Sequence, residues 1–510
     1  MSQTISQQST VRKAGWRGWT ALCALMLPVL LVSVDNTVLS FALPGISADL
    51  APTSVQQLWI IDAYSLVLAG LLVTAGSLGD RFGRRRMLLL GSLGFAAVSV
   101  LAAFAPSAEL LIAARALLGV FGALLMPSTL SLLRSIFLDR DERRLALAVW
   151  AAMFSAGAAL GPIVGGLILE HFWWGAVFLL AIPVLVPMLI LVPLVVPESR
   201  DPRPGPVDIR SVLLSMATMV PVVYGIKEIA VAGFGHTALA LFAIGAAFGW
   251  LFVRRQLRLE VPMLDMALFR RAGFTGAILV NLLSVTALVG FLYFGAQHLQ
   301  LVVGLSPMES GFVLVPGMVA MIVAGIGVVP IARRLRASAV VPGALAFSLA
   351  GYLLIAWGGA HDLGLLIAAF TVLGMGIGAA ETVATELVLT NSPAEKAGAA
   401  SAVSETAYEL GAVLGTSILG GVLTWWYRSV LVLPDGLGAQ AAAAARETLA
   451  GAMGAADRTG GAVGDALRRA AAEAFDGGVV VTSLIGAALV VIAAVVAATT
   501  LDRRREAAQR

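Results

Sequence analysis

Long apolar runs separated by short polar segments recur along the whole 510-residue chain. Each run holds about 20 residues with few charges, which is the length that an α-helix needs to cross a bilayer. The strands of a membrane β-barrel would instead alternate apolar and polar residues over about ten positions. The pattern therefore predicts an all-α polytopic membrane protein. We place fourteen spans at 20–43, 57–78, 87–105, 109–133, 145–168, 174–196, 211–231, 238–253, 275–296, 311–331, 339–358, 363–389, 400–425 and 478–500.

The charged residues of the chain are few, and their positions indicate topology. Hydrophobic residues make up 59% of the sequence and charged residues 13%, whereas about a quarter of the residues in soluble domains are charged. With the N terminus inside, 27 of the 34 Lys and Arg residues fall in inside segments and 5 in the outside segment 426–477. The positive-inside rule then predicts that both termini lie in the cytoplasm. Because topology accounts for the basic residues, the net charge of +4 requires no nucleic-acid partner.

A loop between the second and third spans combines glycines, one acid and several arginines. Its sequence is Gly76-Ser77-Leu78-Gly79-Asp80-Arg81-Phe82-Gly83-Arg84-Arg85-Arg86. Glycines permit tight turns and close helix approach, and the acid can form ion pairs with arginines that open or close with the helices. A topology signal alone would need only the arginines. We expect Gly76, Asp80, Arg81, Gly83 and Arg84 to form a conformational gating loop.

Charged and small residues interrupt the fourth and fifth spans. Arg115 lies in the fourth span, where a charge is costly and usually faces an acid or a water-filled cavity; snorkelling to the nearby surface is the alternative. The fifth span contains Gly157-Ala158-Ala159-Leu160-Gly161-Pro162-Ile163-Val164-Gly165-Gly166. Gly157, Gly161 and Gly165 allow helices to pack backbone to backbone, and Pro162 removes a helical hydrogen bond. Taken alone, this run is better explained as a generic packing seam.

These motifs, in this order and spacing, resemble those of the major facilitator superfamily. The loop after the second span is similar to the signature loop of that family, Arg115 to its intramembrane arginine motif, and 157–166 to the motif typical of its antiporters. The first span, Val34-Asp35-Asn36-Thr37-Val38-Leu39-Ser40-Phe41-Ala42-Leu43-Pro44, resembles the signature of the fourteen-span drug:proton antiporters. Further similar stretches, which extend the resemblance along the chain, are 59–66, 262–265, 304–311 and 404–411.

The resemblance implies a major facilitator fold of two six-helix bundles with two inserted helices between them. We expect an N-terminal bundle at 1–196, inserted helices and linkers at 197–274, and a C-terminal bundle at 275–510 with a solvated helical connector at 426–477. The glycine spacing of the fifth span recurs at 411–421, which supports a duplication independently. The basic loop 333–336 has no counterpart to Asp80, so gating contacts should be asymmetric.

Seven acids lie within or at the edges of the spans, where an ionised group must face a cavity, find a partner or hold a proton. They are Asp35, Asp62, Glu228, Glu381, Glu386, Glu405 and Glu409. Glu405, Tyr408 and Glu409 follow the spacing of one helix face, which predicts that both glutamates face a central cavity.

The surroundings of each acid suggest different roles. We expect Glu228 to pair with the adjacent Lys227, and Asp62 to be either hydrated near the outer end or functional. Glu381 and Glu386 can each form a structural hydrogen bond to a neighbouring threonine, which is the alternative to a transport role. Asp35 and Glu409 are the strongest candidates, and the resemblance places the family's functional membrane acids at Asp35, Asp62, Glu405 and Glu409.

The resemblance implies a proton-coupled antiporter of the bacterial cytoplasmic (inner) membrane that exports lipophilic, mainly cationic drugs such as quaternary ammonium compounds, dyes and fluoroquinolones. Aromatic walls with a few buried carboxylates attract cations without solvating them. Because desolvation favours the neutral form of a carboxyl group, one group can hold a proton and release it when a cation enters. We assign proton coupling to Asp35 and Arg115. Substrate or proton binding is assigned to Asp62, Glu381, Glu386, Glu405, Tyr408 and Glu409.

Two alternatives differ from this hypothesis. A dedicated exporter of an endogenous metabolite or self-made antibiotic would have the same motifs. A membrane enzyme would need a clustered metal or nucleophile motif, whereas the four histidines are dispersed along the chain. We therefore expect a monomeric transporter, not an enzyme, surrounded by membrane lipid and without metal or cofactor. Its expected partners are small lipophilic cations and protons, with the proton gradient as energy source.

Overall fold

The computed structural model describes residues 14–201, 207–359, 362–392 and 397–501. Throughout these ranges the regular structure is helical. The charge count above includes residues outside the described ranges, namely Arg12, Lys13, Arg203, Lys396, Arg503, Arg504, Arg505 and Arg510; His361, one of the four histidines, also lies outside them.

Fourteen helices of the described chain are long and apolar enough to span a membrane, as the sequence predicts. The N-terminal half contains α1 Trp16–Leu50, α2 Ser54–Phe82, α3 Arg84–Ala103, α4 Ala108–Ile136, α5 Arg140–His171, α6 Ala176–Leu179 and α7 Ala181–Val195. Two inserted helices follow, α8 Ile209–Ala232 and α9 His236–Gln256. The C-terminal half contains α10 Ala272–Gln297, α11 Pro307–Arg334, α12 Ala337–Leu354, α13 Leu363–Thr390, α14 Ala397–Leu414, α15 Gly421–Val430, α16 Ala439–Glu447, α17 Leu449–Thr459 and α18 Gly461–Thr500.

The same helix pairings occur in both halves. In the N-terminal half α1 packs on α5, α2 on α4 and α3 on α4, and in the C-terminal half α10 packs on α14, α11 on α13 and α12 on α13. The two halves meet where α5 contacts α11 and where α2 contacts α14. This correspondence agrees with the duplication that the glycine repeat predicts.

The two ends of the bundle differ in composition. At one end of the bundle, α2 is followed by α3 and α9 ends. This end carries Arg84 and Arg254, and we call it the basic end. The opposite end, which carries α16 and α17, is the connector end.

Gly157, Gly161 and Gly165 form the close contact of α5 with α1. A Cβ atom at Gly157 would lie 2.8 Å from the Cβ of Ser33, and one at Gly161 would clash with Thr37. The repeated glycines act in the same way on α14, because a Cβ atom at Gly411 would lie 2.7 Å from the carbonyl oxygen of Leu282 on α10. The small residues therefore set the helix spacing in both halves.

Pro162 leaves the carbonyl group of Ala158 without its usual helical donor, because proline has no N–H. The hydroxyl group of Thr37 on α1 donates to this carbonyl oxygen at 3.2 Å. One turn earlier, the hydroxyl group of Ser33 donates to the carbonyl oxygen of Phe154. The carbonyl group of Ala158, which lacks its helical donor, thus receives a hydrogen bond from the neighbouring helix.

The segment 426–477 is helical, as expected, but it is solvated on one side only. Helices α15 and α18 extend into it, and α16 and α17 pack against them, burying Ala445, Ala452 and Phe475. The hydroxyl group of Tyr427 donates to the carbonyl oxygen of Ala445 at 2.9 Å. Its many alanines explain the difference, since small apolar side chains let short helices approach one another closely.

Candidate functional site

A buried ion pair joins α1 to α4 near the middle of the N-terminal half. Nη1 of Arg115 lies 2.6 Å from Oδ2 of Asp35, and Nε of Arg115 donates to the carbonyl oxygen of Ile60 on α2 at 3.2 Å. The guanidinium group lies 4.6 Å from the centre of the Tyr64 ring. Arg115 is only 2% exposed, so it does not snorkel to the surface.

A second buried ion pair joins the inserted helix α8 to α2. Nζ of Lys227 lies 2.6 Å from Oδ2 of Asp62, and the hydroxyl group of Ser417 donates to the same oxygen at 2.7 Å. Lys227 is 0% and Asp62 1% exposed. The expected pairing of Lys227 with Glu228 is wrong, because adjacent residues on a helix do not face each other. The hydrated position considered for Asp62 is wrong as well.

Glu409 connects the two halves at the centre of the molecule. It is 4% exposed, and its Oε1 accepts a hydrogen bond from Nδ2 of Asn36 on α1 at 3.2 Å. One residue earlier, the ring of Tyr408 meets the ring of Phe154 on α5 edge to face, with 5.5 Å between their centres. Helix α14 therefore presents an acid and an aromatic ring to the N-terminal half.

A cavity with a mainly apolar wall and several polar and charged groups lies between the halves. Its wall includes Asn36, Asp62, Arg115, Phe154, Glu381 and Tyr408. Asp35 and Glu409 do not line it, but each contacts a wall residue, Arg115 and Asn36 respectively. The prediction that both glutamates of α14 face the cavity is wrong in this conformation. Glu405 is half-buried one turn from Glu409 and is not part of the wall.

The cavity is closed towards the connector end. Among the described residues, the hydrogen bonds between the two halves lie at the level of Asn36 and Glu409 or nearer to the connector end. There, a Cβ atom at Gly166 would lie 2.7 Å from the carbonyl oxygen of Pro307 on α11. Towards the basic end, Ser155 lines the cavity and is exposed.

Glu381 and Glu386 lie in different environments on α13. Glu381 belongs to the cavity wall, whereas Glu386 is exposed on the helix surface. Five positions on an α-helix correspond to a rotation of about 140°, so the two side chains cannot point into one cavity. Glu386 therefore lies outside the cavity wall in this conformation, and its assignment to the binding site stays a prediction.

We expect Glu381→Gln to lower transport of a cationic dye about tenfold, which is the effect of losing one charge-assisted contact. Glu386→Gln, the matched change on the same helix, should leave transport unchanged because its side chain lies outside the cavity. Initial efflux rates from proteoliposomes with equal amounts of each variant will test this. Equal losses in both variants would contradict the placement.

The loop between α2 and α3 is held within the N-terminal half. Nη2 of Arg84 lies 2.8 Å from Oδ1 of Asp80, and its Nη1 donates to the hydroxyl group of Ser199 at 3.1 Å. Gly83 has a φ of 111°, a conformation that favours glycine, and it borders the carboxylate of Glu198. Glu198, which the sequence did not indicate, also accepts from the backbone N–H of Arg85 at 3.0 Å.

The remaining members of the loop make weaker contacts. The guanidinium group of Arg81 lies 5.8 Å from the centre of the Phe82 ring, and Gly76 borders Pro127 on α4. In this conformation the loop is tied to the segment that leads towards the inserted helices. Its gating role stays a prediction.

Buried acids can also act as ligands of a metal ion when several of them cluster. In the described ranges, no group of three or more His, Cys, Asp or Glu side chains is arranged to hold a metal ion.

Two related helical halves around one central cavity are typical of secondary transporters. The sequence profile of the Major Facilitator Superfamily matches residues 25–416. The chain belongs to the major facilitator superfamily.

Comparisons with individual proteins agree with this family. The chain is 53% identical over 481 residues to the multidrug efflux pump LfrA of Mycolicibacterium smegmatis, covering 94% of this chain and 95% of that one. It is 36% identical over 472 residues to the methyl viologen resistance protein SmvA of Salmonella typhimurium, covering 90% and 93% of the two chains. A crystal structure of a bacterial homologue of the human lysosomal transporter Spinster, inward-facing and unoccupied, has the same fold, with a TM-score of 0.66, 18% identity, and 95% and 98% coverage of the two chains.

Proposed function

We propose that the protein is a proton-coupled antiporter that exports lipophilic, mainly cationic drugs from the bacterial cytoplasm. The observation that carries this proposal is the charge distribution in and around the cavity wall, where two acids are neutralised by basic partners and three are not. The similarity to the multidrug efflux pump LfrA and the methyl viologen resistance protein SmvA supports export of several drugs; quaternary ammonium compounds and dyes are the cationic classes that we propose.

The neutralised acids are Asp35, paired with Arg115, and Asp62, paired with Lys227. Among the described residues, Glu381, Glu405 and Glu409 have no basic side chain within ion-pair distance. A carboxyl group without a counter-charge in an apolar environment must take up a proton or a cation. Competition of these two ligands for the same acids is the basis of antiport.

The aromatic rings at the cavity favour organic cations. Phe154 and Tyr408 form part of the wall, and ring faces attract cations electrostatically. An aromatic wall also provides apolar contact for the lipophilic part of the ligand. Glu381, which belongs to the same wall, would provide the compensating negative charge.

The direction of export depends on topology. We place the basic end in the cytoplasm, as the positive-inside rule suggests, so that both termini are cytoplasmic. The cavity, closed at the connector end, then faces the cytoplasm and accepts substrate there. Rocking of the two halves would carry it to the other side. Proton binding to Glu409 would allow the empty cavity to face the cytoplasm again. The hydrogen bond between Asn36 and Glu409 would break and re-form during this cycle. We expect a monomer to complete this cycle.

Efflux of ethidium from proteoliposomes with an imposed pH gradient tests the proposal. We expect transport that requires the gradient, stops when it is collapsed, and is independent of ATP. Export that continues without a gradient and follows ATP would contradict proton antiport. A panel of benzalkonium, ethidium and neutral antibiotics then separates polyspecific export from a dedicated exporter, which would ignore most of them.

A further inference from the structure

The inserted helix α8 supplies the partner of an acid in the cavity wall. Asp62 lines the cavity, whereas Lys227 is fully buried behind it and is not part of the wall. Nζ of Lys227 lies 2.6 Å from the carboxylate and 4.2 Å from the centre of the Trp59 ring. The ammonium group is therefore held between a carboxylate and an aromatic face, the two features that bind organic cations.

Stability alone does not explain an ion pair in this place. Helix α8 also packs on α2 through apolar side chains, since Val223 and Met219 belong to the same hydrophobic cluster as Leu66 and Trp59. Replacement of a buried ion pair by well-packed apolar residues is often neutral or stabilising. A pair that serves only to attach α8 would have no need of an acid that lines the cavity.

The neutralised and free acids are distributed unequally between the halves. Asp35 and Asp62, both from the N-terminal half, are paired with basic residues. The three acids without such partners, Glu381, Glu405 and Glu409, all belong to α13 and α14 in the C-terminal half. A ligand with one positive charge finds a free acid on the C-terminal side. A rigid ligand with two separated charges, bridging the cavity, meets no free negative charge on the opposite wall.

We propose that Lys227 is the resident cation of Asp62 and thereby a specificity-determining residue that disfavours dicationic substrates. This inference rests on the proposed export of organic cations. Lys227 occupies the carboxylate that would otherwise bind the second charge of a dication. Removal of its charge frees Asp62 and creates a second cation subsite on the N-terminal wall.

Two ligands of matched shape test this proposal. Methyl viologen has two pyridinium charges, and N-methyl-4-phenylpyridinium has the same two-ring frame with one charge. We will measure the Kd of each for the purified full-length chain, together with its transport in proteoliposomes. We expect Lys227→Met to improve the affinity for the dication relative to the monocation about tenfold. Lys227→Arg, which keeps the charge, should retain the original ratio.

Changes at Asp62 should shift the relative affinity for the two ligands in the opposite direction. Asp62→Asn leaves the charge of Lys227 uncompensated beside the cavity, so the dication should become weaker relative to the monocation. The double variant Asp62→Asn/Lys227→Met should return the ratio to that of the unaltered protein. If Lys227→Met does not fold, Lys227→Gln removes the charge while keeping a hydrogen-bond donor for Asp62, and the same ratio is measured.

The outcomes separate this inference from the proposed function. Equal changes for both ligands in the Lys227 and Asp62 variants would overturn the specificity role and leave only a structural one. Failure of the unaltered protein to transport either cation against a pH gradient would overturn the proposed function. The ratio of the two Kd values does not depend on coupling to protons and still decides the role of Lys227.

Discussion

Asp35→Asn will reduce efflux driven by a pH gradient about a hundredfold or more, while dye binding to the purified protein persists. The change leaves the guanidinium group of Arg115, which is 2% exposed, without its carboxylate partner. Removal of one member of a buried ion pair typically costs about 3–5 kcal/mol. Initial rates of efflux from proteoliposomes and equilibrium dye binding measure the two effects separately.

The same helix offers a matched control for Asp35→Asn. Asp49 on α1 accepts a hydrogen bond from Nε1 of Trp174 at 2.8 Å, and the amide oxygen of asparagine can accept it equally. Asp49→Asn should therefore transport normally. The double variant Asp35→Asn/Arg115→Gln removes both charges, so it should recover thermal stability without recovering proton coupling. Full proton-driven transport by Asp35→Asn would show that the pair has no role in coupling.

Gly311→Leu will prevent the two halves from closing at the connector end and lower transport about a hundredfold, as expected when one of two alternating states becomes inaccessible. A Cβ atom at Gly311 would clash with the backbone carbonyl group of Pro162 on α5. Backbone atoms in a packed helix cannot move aside as the end of a side chain can. The conformation described here would thus become unfavourable relative to one that is open at the connector end.

Helix α11 contains the control for this experiment. A Cβ atom at Gly327 would have no neighbouring atom within 4 Å, so Gly327→Leu has the same effect on helix propensity without the clash. A cysteine at Ala158, which lines the cavity, introduced after Cys23→Ser, reports accessibility. It should react with a membrane-impermeant thiol reagent from the connector side only in Gly311→Leu. If the cysteine in Gly311→Leu does not react from the connector side and transport is normal, the leucine does not hold the two halves apart.

Local sequence patterns account for the spans and for one of the two buried ion pairs. A charge in an apolar helix must find a partner, and Asp35 and Arg115 are each a charged residue within an apolar span, so their pairing could be proposed. The Lys227 and Asp62 pair could not, because it depends on where α8 packs, which no local pattern specifies. The available signal was that Lys227 lies in one apolar run and Asp62 in another.

Helix rotation and packing explain the other differences. Glu381 and Glu386 have similar sequence neighbours, and only the orientation of α13 places one in the cavity wall and the other on the surface. The connector contains charged residues at intervals, which suggested solvation, but Ala445 and Ala452 on its inner face are fully buried. Its attachment to the start of α2, where the backbone N–H of Ser54 donates to Glu447 at 3.3 Å, is a long-range contact that the sequence does not reveal.

A proline in the middle of a membrane helix is commonly regarded as a hinge, but the surroundings of Pro162 give α5 the opposite property. Thr37 on α1 donates to the carbonyl oxygen of Ala158 that the proline leaves free, and Ser33 donates to that of Phe154 one turn away. These cross-links stiffen α5 where its own ladder of hydrogen bonds is interrupted. We therefore expect α1 and α5 to move together at this level, with Pro162 supported by the neighbouring helix and unable to act as a hinge.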